Sequence, residues 1–403
     1  MDCKSMGATI TRLRKKNGWT QAGLAKRLDV TDKAVSRWES GQGYPDITIF
    51  PRLAEVFDVS IDYLMIGEKK GIAIVGNMLL DIIKTISDYP KSGMLSYTSD
   101  ISYAVGGCVP NVSINLARID PTIPITVFGK LGNDENGRYV ISQLQRNGVN
   151  VGKISFSSTT PTSFSDVMSI PSGERTFFHY KGANAELSPD DIDIESLNCD
   201  LLHIGYIMLL DRFDENDNEY GTVMARFLHN VQAAGIKTSI DTVSDSSPTF
   251  SKKVIPALKY SNYVIINEIE CCNIWRLNAR RADGSLHREN LLEAMQKTVD
   301  AGVQDRLIVH CKERAFIMDA EKNLTEVPSL CIPKEEIRGS VGAGDAFCAG
   351  CLYGIFNNYG DKQMLEFASA AAACNLFSAN SVDGMKNKNE ILKMEDIYGR
   401  LSE

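Results

Sequence analysis

The chain has 403 residues, of which 43% are hydrophobic and 23% charged, and its formal net charge is −8. This apolar content is enough for a large core, which excludes an intrinsically disordered chain. No run approaches the ~20 apolar residues of a membrane-spanning helix, and the first residues lack the apolar segment of a secretion signal. We therefore expect a cytoplasmic protein with no membrane partner and with reduced cysteines.

The charge is unevenly distributed along the chain. Residues 1–70 carry 12 basic and 9 acidic side chains, whereas residues 71–403 carry 31 basic and 42 acidic ones. A small basic segment ahead of an acidic body suggests that the segment meets nucleic acid.

Residues 8–66 show a succession of short helical patterns. Thr20 is placed as the N-cap of a helix that runs through Leu28, because a threonine hydroxyl can accept from the free N–H groups of a first turn. A tight turn then leads to a third helix over Asp32 to Glu39. Two helices joined by a short turn, the second polar on one face, form the helix-turn-helix arrangement.

On the second of these two helices, Ala34, Val35 and Trp38 are predicted to face inward. Arg and Lys on the outer face can reach guanine acceptors, and Asp can accept from a cytosine amino group. The candidate DNA-binding residues are Gln21, Asp32, Lys33, Ser36 and Arg37. The alternatives are an ordinary solvated face and a surface for another partner.

The segments TQAGLAKRL, VTDKAVSRWESG and LAEVFDVSIDYL resemble the Cro/phage-repressor (XRE) family of DNA-binding domains. The resemblance implies a five-helix fold whose helix over Asp32–Arg37 enters the major groove. One such domain contacts few phosphates, so useful affinity needs two copies on a two-fold-symmetric site. Double-stranded DNA is therefore an expected partner, and the chain is expected to form a homodimer.

The domain organisation follows from these patterns. We place a helix-turn-helix domain at residues 1–66, a short polar linker at 67–71 and a second domain at 72–403. The linker is too short to act as a long flexible tether.

The second domain alternates apolar runs with helical patterns, which predicts an α/β fold with a mostly parallel sheet flanked by helices. GIAIVGNMLLDII and PITVFGKLG are each interpreted as a single buried strand. Two further stretches, MLSYTSDISYAVGG and SFSDVMSIPSGERTFFHYKG, read as antiparallel hairpins, the second of which turns at residues 171–173. A small β lid over the crevice at the carboxyl ends of the strands accounts for these two stretches.

The strongest chemical signal is the run Gly342-Ala343-Gly344-Asp345 ahead of a helix. Glycines at a helix start let backbone N–H groups point at a phosphate, and a carboxylate there can take a proton from an attacking hydroxyl. Alone, this pattern is equally explained by a tight turn with a capping Asp. No GxxxxGK[ST] run occurs, which excludes a Walker-type site.

Six motifs in order resemble the ribokinase-like (PfkB) family of carbohydrate kinases: VGNMLLD, VGGCVPNVSINLARI, FGKLGNDENG, GERTFFHYKGAN, INEIE and GAGDAFCAG. The resemblance implies ATP- and Mg²⁺-dependent transfer of a phosphoryl group to a primary hydroxyl of a sugar, polyol or nucleoside. It implies that Asp345 is the catalytic base and that Gly342, Ala343 and Gly344 form the anion hole. The implied substrate-binding residues are Asp81, Gly106, Gly107, Asn111 and Asn184.

The family motif around INEIE implies that Asn267 and Glu270 organise the cofactor, with Glu270 holding Mg²⁺ through water. The nucleotide loop departs from the family pattern because residues 310–315 read HCKERA and lack both family glycines. Lys312 in this loop either crowds the nucleotide or contacts its phosphates. Gly339 stands where the family usually has Asp, which puts a monovalent cation in doubt. Tyr206 lies near where ribokinases place a substrate-binding Glu, which argues against assuming ribose.

Two functions are consistent with these residues. The first is an active sugar kinase that carries a DNA-binding head and links a sugar to transcription. The alternative is a transcription regulator whose kinase fold, weak or inactive in catalysis, acts as a sugar sensor.

Overall fold

The structure is a computed structural model that describes residues 3–66, 70–170, 175–245 and 247–402. The chain folds into two compact units, Met1–Lys70 and Gly71–Glu403. Residues 67–69 of the predicted linker and the predicted hairpin turn at 171–173 lie outside the described residues. Within the described ranges, no helix is long and apolar enough to cross a bilayer.

The N-terminal unit contains five helices in its described part, as the resemblance implied. They are α1 (Cys3–Lys16), α2 (Gln21–Leu28), α3 (Asp32–Glu39), α4 (Phe50–Phe57) and α5 (Ile61–Ile66). Thr20 caps α2 by accepting a hydrogen bond from the Gly23 N–H, and Thr31 caps α3 in the same way. The helices enclose one apolar core centred on fully buried Leu24, Leu28 and Val35.

The C-terminal unit is built on two main sheets. Its strands are β1 (Ile72–Gly76), β2 (Leu79–Ile86), β3 (Thr98–Gly106), β4 (Ile125–Phe128), β5 (Lys130–Gly132), β6 (Ser155–Ser157), β7 (Phe164–Ser169), β8 (Arg175–Tyr180), β9 (Leu201–Ile207), β10 (Asn216–Asp217), β11 (Gly221–Thr222), β12 (Lys237–Thr242), β13 (Tyr263–Asn267), β14 (Arg306–His310), β15 (Arg314–Asp319) and β16 (Leu324–Pro328). Eight of them form the central sheet in the order β16-β15-β14-β13-β12-β9-β1-β4. It is parallel from β4 to β14 and antiparallel at β15 and β16.

Helices cover both faces of the central sheet. They are α6 (Cys108–Ile119), α7 (Glu135–Arg146), α8 (Val223–Ala233), α9 (Phe250–Leu258), α10 (Glu268–Ile274), α11 (Arg288–Asp300), α12 (Ala343–Phe356), α13 (Asp361–Asn375), α14 (Lys388–Ile391) and α15 (Met394–Tyr398). Successive strand side chains point to opposite faces. Ile72 and Ile74 of β1 pack in the core with α6, α7, α12 and α13, whereas Ala73 and Val75 pack with α8 to α11.

The small second sheet has the order β3-β2-β7-β8 and matches the predicted lid. β7 and β8 form the predicted antiparallel hairpin, but β3 pairs with β2 rather than within its own stretch. The two single strands predicted over 71–83 and 124–132 are wrong, because each run divides between sheets. β1 ends at Gly76, where φ is +146° and an added Cβ would lie 1.7 Å from the Gly205 carbonyl oxygen, so only glycine fits at this end of the strand.

Candidate active site

The start of α12 is shaped for an anion. Gly342, the N-cap, has φ +76°, and an added Cβ would lie 2.4 Å from the Cβ of Ser381. A side chain is therefore excluded both by backbone conformation and by space. The N–H groups of a first helical turn have no intrahelical acceptor, so this turn can bind a phosphate.

Asp345 lies in that first turn and is 9% exposed. One oxygen, Oδ2, accepts from the side-chain amide of Asn111 at 2.9 Å, and the other, Oδ1, accepts from the hydroxyl of Tyr206. Burial raises the pKa of Asp345 to about 6, and the two hydrogen bonds act in the opposite direction. A carboxylate with such a pKa can accept a proton at neutral pH.

A narrow pocket lies between the small sheet and the turn that precedes α12. Its walls come from Asp81 and Ile83 of β2, from Arg175 and Phe177 of β8, and from Val341 and Ser381 in the loops beside α12. Burial raises the pKa of Asp81 to about 6; the charge of Arg175 lowers it, and that of Asp345 raises it. The carboxylate and the guanidinium give the pocket one acceptor and one set of donors for hydroxyl groups.

The predicted substrate-binding residues differ in their contacts. An added Cβ at Gly106 would lie 2.5 Å from Asp81 Oδ2, so glycine lets that carboxylate lie against the backbone. Gly107 has φ +92° and lies against the Asn77 carbonyl. Asn184 is 1% exposed, and its amide exchanges two hydrogen bonds, of 3.0 and 3.1 Å, with the backbone of Met78. This contact fixes the chain between β1 and β2.

Asn111 was predicted to hold a sugar hydroxyl, and in the structure its side chain is engaged within the protein. Its amide nitrogen donates to Asp345, and its oxygen accepts from the Ser381 hydroxyl at 2.7 Å. Asn111 therefore orients the carboxylate.

Asn267 and Glu270 meet where β13 ends and α10 begins. The Asn267 side chain accepts from the Glu270 N–H at 2.8 Å, and Glu270 Oε2 accepts from the Asn267 N–H at 3.0 Å. Ser244 donates to the other Glu270 oxygen. Burial raises the pKa of Glu270 to about 7. Burial, the charge of Glu270 and that of Asp345 hold the pKa of Asp241, at the end of β12, well above its usual range.

These carboxyl groups fit a divalent cation. Buried carboxyl groups that raise one another's pKa are stabilised as anions when a cation lies among them, and oxygen ligands suit Mg²⁺. Asp241 was not singled out from the sequence. Its signal was an Asp at the end of the predicted strand IKTSIDTV, next to a strand whose end carried a recognised motif.

A larger cleft of about 580 Å³ lies on the other side of the α12 turn. Ala343 and Gly344 of the turn line it together with Asn267 and Lys312. Its apolar wall consists of Leu330, Ile332, Ile337, Ala372, Ala373 and Leu376. The turn thus separates the cleft from the pocket that contains Asp81.

The loop over residues 310–315 forms part of this cleft. The Lys312 side chain is 73% exposed, and its Nζ lies 3.6 Å from Glu313 Oε1. The His310 ring packs against Phe347 at a tilt of 38°, with ring centroids 4.8 Å apart, and lies against Gly344. Burial lowers the pKa of His310 to about 4, so the imidazole next to the turn is neutral at pH 7.

The candidate DNA-contacting residues of α3 share one exposed face. Asp32, Lys33, Ser36 and Arg37 are all exposed, whereas Val35 and Trp38 are buried, as predicted. Ala34 is only partly buried. Arg37 donates from Nε to the Gln42 carbonyl at 3.2 Å and lines an open groove with Lys33 and Tyr44.

Gln21 differs from this set because its side chain is engaged. Its amide donates to Glu39 Oε2 at 2.8 Å. It lies at the start of α2 and is partly buried.

A family model described as "pfkB family carbohydrate kinase" matches residues 69–388, and one described as "Helix-turn-helix" matches residues 10–64. The chain belongs to the pfkB carbohydrate kinase family. It is 22% identical over 329 residues to "Fructokinase-1" of Zea mays, covering 79% of this chain and 95% of that protein. It is 21% identical over 337 residues to "5-dehydro-2-deoxygluconokinase" of Shouchella clausii, covering 81% and 95% respectively.

Solved structures show the same fold as this pfkB kinase. The ribokinase of Thermotoga maritima superposes with a TM-score of 0.66 at 18% identity, covering 81% of this chain and 99% of that one. The structure titled "Structure of Arabidopsis thaliana Ribokinase complexed with Ribose and ATP" has a TM-score of 0.67 at 19% identity, with the same coverage.

Sequence reasoning did not assign Arg175 or the contact between Tyr206 and Asp345 in this pfkB kinase. Arg175 lies in the GERTFFHY motif, but the pairing of β7 with β8 sets it opposite Ser169, and only the folded pocket brings it together with Asp81. Tyr206 was noted as a departure from ribokinases, and no pattern in the sequence connects it with residue 345.

Proposed function

We propose that this pfkB kinase transfers the γ-phosphoryl group of ATP, with Mg²⁺, to a primary hydroxyl of a sugar or related polyol, and that its N-terminal unit binds DNA to link that sugar to transcription. The proposed phosphoryl transfer rests on the position of the turn formed by residues 341–344. Val341 lines the pocket that contains Asp81, and Ala343 and Gly344 line the larger cleft, with Asp345 directly behind them.

In this proposal Asp81 accepts hydrogen bonds from adjacent hydroxyls of the acceptor, and Arg175 donates to its oxygens. Asp345 takes the proton of the attacking hydroxyl. The hydroxyl oxygen forms a bond with the γ-phosphorus, the bond from that phosphorus to the bridging oxygen breaks, and its electron pair leaves with ADP. The N–H groups at the start of α12 stabilise the charge that develops on the transferred group.

Asn267 and Glu270 would hold the magnesium ion and its waters, next to Asp241. When bound, Mg²⁺ would neutralise part of the negative charge on the phosphate groups of ATP. The buried carboxyl groups in this region support that assignment because burial disfavours the ionised form of both Asp241 and Glu270, and the charge of Glu270 further raises the pKa of Asp241.

The 580 Å³ cleft is the proposed site of the nucleotide. Its apolar wall suits a base, and the turn at its other end suits the phosphates. The ribokinase of Arabidopsis thaliana, whose fold matches at a TM-score of 0.67, is titled as a complex with ribose and ATP. The exposed ammonium of Lys312 is proposed to contact phosphate, since it leaves the cleft open.

DNA binding is proposed for the exposed face of α3. Asp32, Lys33, Ser36 and Arg37 project together, and Lys33 and Arg37 give that face two cationic side chains. The match of residues 10–64 to a helix-turn-helix family supports this role. Two copies of the unit on a two-fold-symmetric site imply a homodimer.

The kinase proposal is tested by ADP release from MgATP with a panel of acceptors. The panel is D-fructose, D-ribose, 5-dehydro-2-deoxy-D-gluconate and inosine, which follow the names of similar proteins. We expect turnover with at least one acceptor, a loss of at least 10³-fold in Asp345→Asn, and no change in the control Asp396→Asn, which alters an exposed Asp of α15. Turnover that survives in Asp345→Asn refutes the assigned base.

The sensor alternative predicts a different result. No acceptor is turned over, yet one of them raises the melting temperature of wild type and of Asp345→Asn alike.

The DNA proposal is tested by selecting duplexes from a random pool. Asp345→Asn should select the same duplex as wild type, and Lys33→Ala and Arg37→Ala should weaken its binding by about 1–3 kcal/mol. A pool that yields no preferred duplex contradicts sequence-specific binding.

A further inference from the structure

The two oxygens of Asp345 are held by two neutral donors from different elements. Tyr206, at the end of β9, donates its hydroxyl to Oδ1, and Asn111, in the first turn of α6, donates its amide to Oδ2. Asn111 is itself fixed, because its side-chain oxygen accepts from Ser381 at 2.7 Å. Hydrogen bonds to both oxygens thus hold the Asp345 carboxylate in one orientation.

The surroundings of Asp345 otherwise disfavour its charge. Burial is the main cause, and the carboxyl groups of Asp81 on β2 and Asp241 on β12 lie within electrostatic range. Among the described residues, no lysine or arginine hydrogen-bonds to this carboxylate. The two neutral donors therefore favour the ionised form, together with the N-terminal end of α12.

We propose that Tyr206 is a positioning residue for the catalytic base: its hydroxyl, together with the Asn111 amide, aims the Asp345 carboxylate and keeps it ionised for the acceptor. This inference rests on the proposed kinase reaction. It gives Tyr206 a role in the rate and pH dependence of the reaction, whereas a tyrosine that only fills space would affect stability alone.

The geometry leaves room for the reaction itself. A carboxylate oxygen has two lone pairs, so an oxygen that accepts from Tyr206 or Asn111 can still accept from one further hydroxyl. Fixing the plane of the carboxylate directs the remaining lone pairs at one place, which reduces the reorganisation needed when the acceptor binds.

The test is the pH profile of kcat/KM for Tyr206→Phe, measured with the acceptor that the panel identifies. Removing a donor to the ionised form raises the pKa of a carboxyl group, so the acid limb should move to higher pH by about one unit. At pH 7 this shift alone lowers kcat/KM about twofold, and the loss of the orienting contact should bring the total fall to about tenfold, while KM for ATP stays unchanged. An acid limb at the wild-type pH overturns the proposal.

Three further measurements separate the explanations. Tyr353→Phe removes the hydroxyl of another buried tyrosine, on α12 itself, and should leave the acid limb in place. 3-Fluorotyrosine at position 206 keeps the ring in place and is a stronger donor, so it should move the limb to lower pH. Infrared spectroscopy follows the titration of Asp345 without any acceptor, through the carbonyl stretch of its protonated carboxyl group. The band is isolated as the difference between the spectrum of each protein and that of its Asp345→Asn form. Tyr206→Phe should move this band's midpoint upward, and an unchanged midpoint refutes the proposal.

Failure of this inference is distinguishable from failure of the proposed function. If Asp345→Asn abolishes turnover but neither change at residue 206 moves the acid limb, only the role of Tyr206 is refuted. If Asp345→Asn retains turnover, the base assignment itself is wrong.

Discussion

Arg14 and Glu39 are joined by two parallel hydrogen bonds, of 2.6 Å between Nε and Oε1 and of 2.9 Å between Nη2 and Oε2. Gln21 donates to the same carboxylate at 2.8 Å. One side chain on α3 therefore connects α1, α2 and α3. Both members of the ion pair are nearly buried, with side chains 11% and 6% exposed. The pair is thus a structural element of the helix-turn-helix unit.

The first prediction concerns this ion pair. Glu39→Ala leaves the Arg14 guanidinium buried without its partner, so we expect the N-terminal unit to lose about 3 kcal/mol of unfolding free energy. Glu55→Ala, at an exposed position of α4, should change it by less than about 0.5 kcal/mol.

The measurement uses tryptophan fluorescence of the full chain in a Trp275→Phe background. The two remaining tryptophans, Trp19 and Trp38, both lie in the N-terminal unit. An unfolding midpoint for Glu39→Ala equal to that of Glu55→Ala contradicts the prediction.

The second prediction concerns the turn ahead of α12. Gly342→Ala places a Cβ 2.4 Å from Ser381 at φ +76°, so the turn must shift. We expect at least a hundredfold loss of kcat/KM and a lower melting temperature. Gly360→Ala is the matched control, because φ there is −67° and nothing lies within 4 Å of the added Cβ. Equal activities of the two variants would show that the turn tolerates a side chain.

The third prediction concerns the Asp81 pocket. Arg175→Ala removes the cation that opposes protonation of Asp81 and removes donors to the acceptor. We expect KM for the acceptor to rise at least tenfold while KM for ATP stays within twofold, as steady-state kinetics can measure. Arg281→Ala, which alters an exposed arginine paired with Glu289, serves as control. A change in KM for ATP alone would mean that Arg175 contributes to binding of ATP and not of the acceptor, which contradicts the prediction.

The fourth prediction is a pH dependence of stability. Burial lowers the pKa of His203 to about 3 and that of His310 to about 4, from 6.5 in the unfolded chain. Between pH 6.5 and 4 the unfolded chain binds protons at these two histidines that the folded chain excludes, so their contribution to folding stability falls as the pH falls. The raised pKa values of Asp81, Asp345 and Glu270 act in the opposite direction. Each unit of pKa difference corresponds to about 1.4 kcal/mol.

Urea unfolding of the full chain at pH 7 and pH 5 tests this dependence, with kinase-unit fluorescence recorded from Trp275 in a Trp19→Phe, Trp38→Phe background. Relative to wild type, His203→Asn should be more stable at pH 5 than it is at pH 7, because one of the two suppressed protonations is lost. His229→Asn, which alters a histidine packed against Tyr220 and Tyr260 on the surface of α8, should show the wild-type difference between the two pH values. The same difference between pH 7 and pH 5 in all three proteins would refute the assignment to His203.

The N-terminal unit was predictable from the sequence because its signals are local. Thr20 and Thr31 each precede a helix and bond to N–H groups three residues later, so hydropathy and capping locate both helices. The division of residues 71–83 between two sheets was not predictable in this way. The residues on both sides of Gly76 and Asn77 are apolar, so hydropathy alone continues the strand, and the close approach of Gly76 to the Gly205 carbonyl shows where the strand ends.

The candidate site shows the same contrast. The turn at 342–345 is one short segment, so the residue order predicts its glycines and its Asp at a helix start, and the family resemblance adds the chemistry. The bonds from Tyr206 and Asn111 to Asp345 join residues 139 and 234 positions apart. Such pairs are formed by the packing of β9, α6 and α12 and have no counterpart in any window of the sequence.

Gly350 brings α12 and α13 into contact. An added Cβ there would lie 2.7 Å from the Cα of Ala368, so the two helix backbones touch almost directly. α12 bears Asp345, while Ala372 and Ala373 of α13 line the nucleotide cleft. In the proposed reaction, the base and part of the nucleotide cleft thus lie on one closely packed helix pair, whereas much of the acceptor pocket belongs to a separate sheet. We therefore expect substitutions in β2 and β8 to change the choice of sugar without displacing Asp345 relative to the cleft.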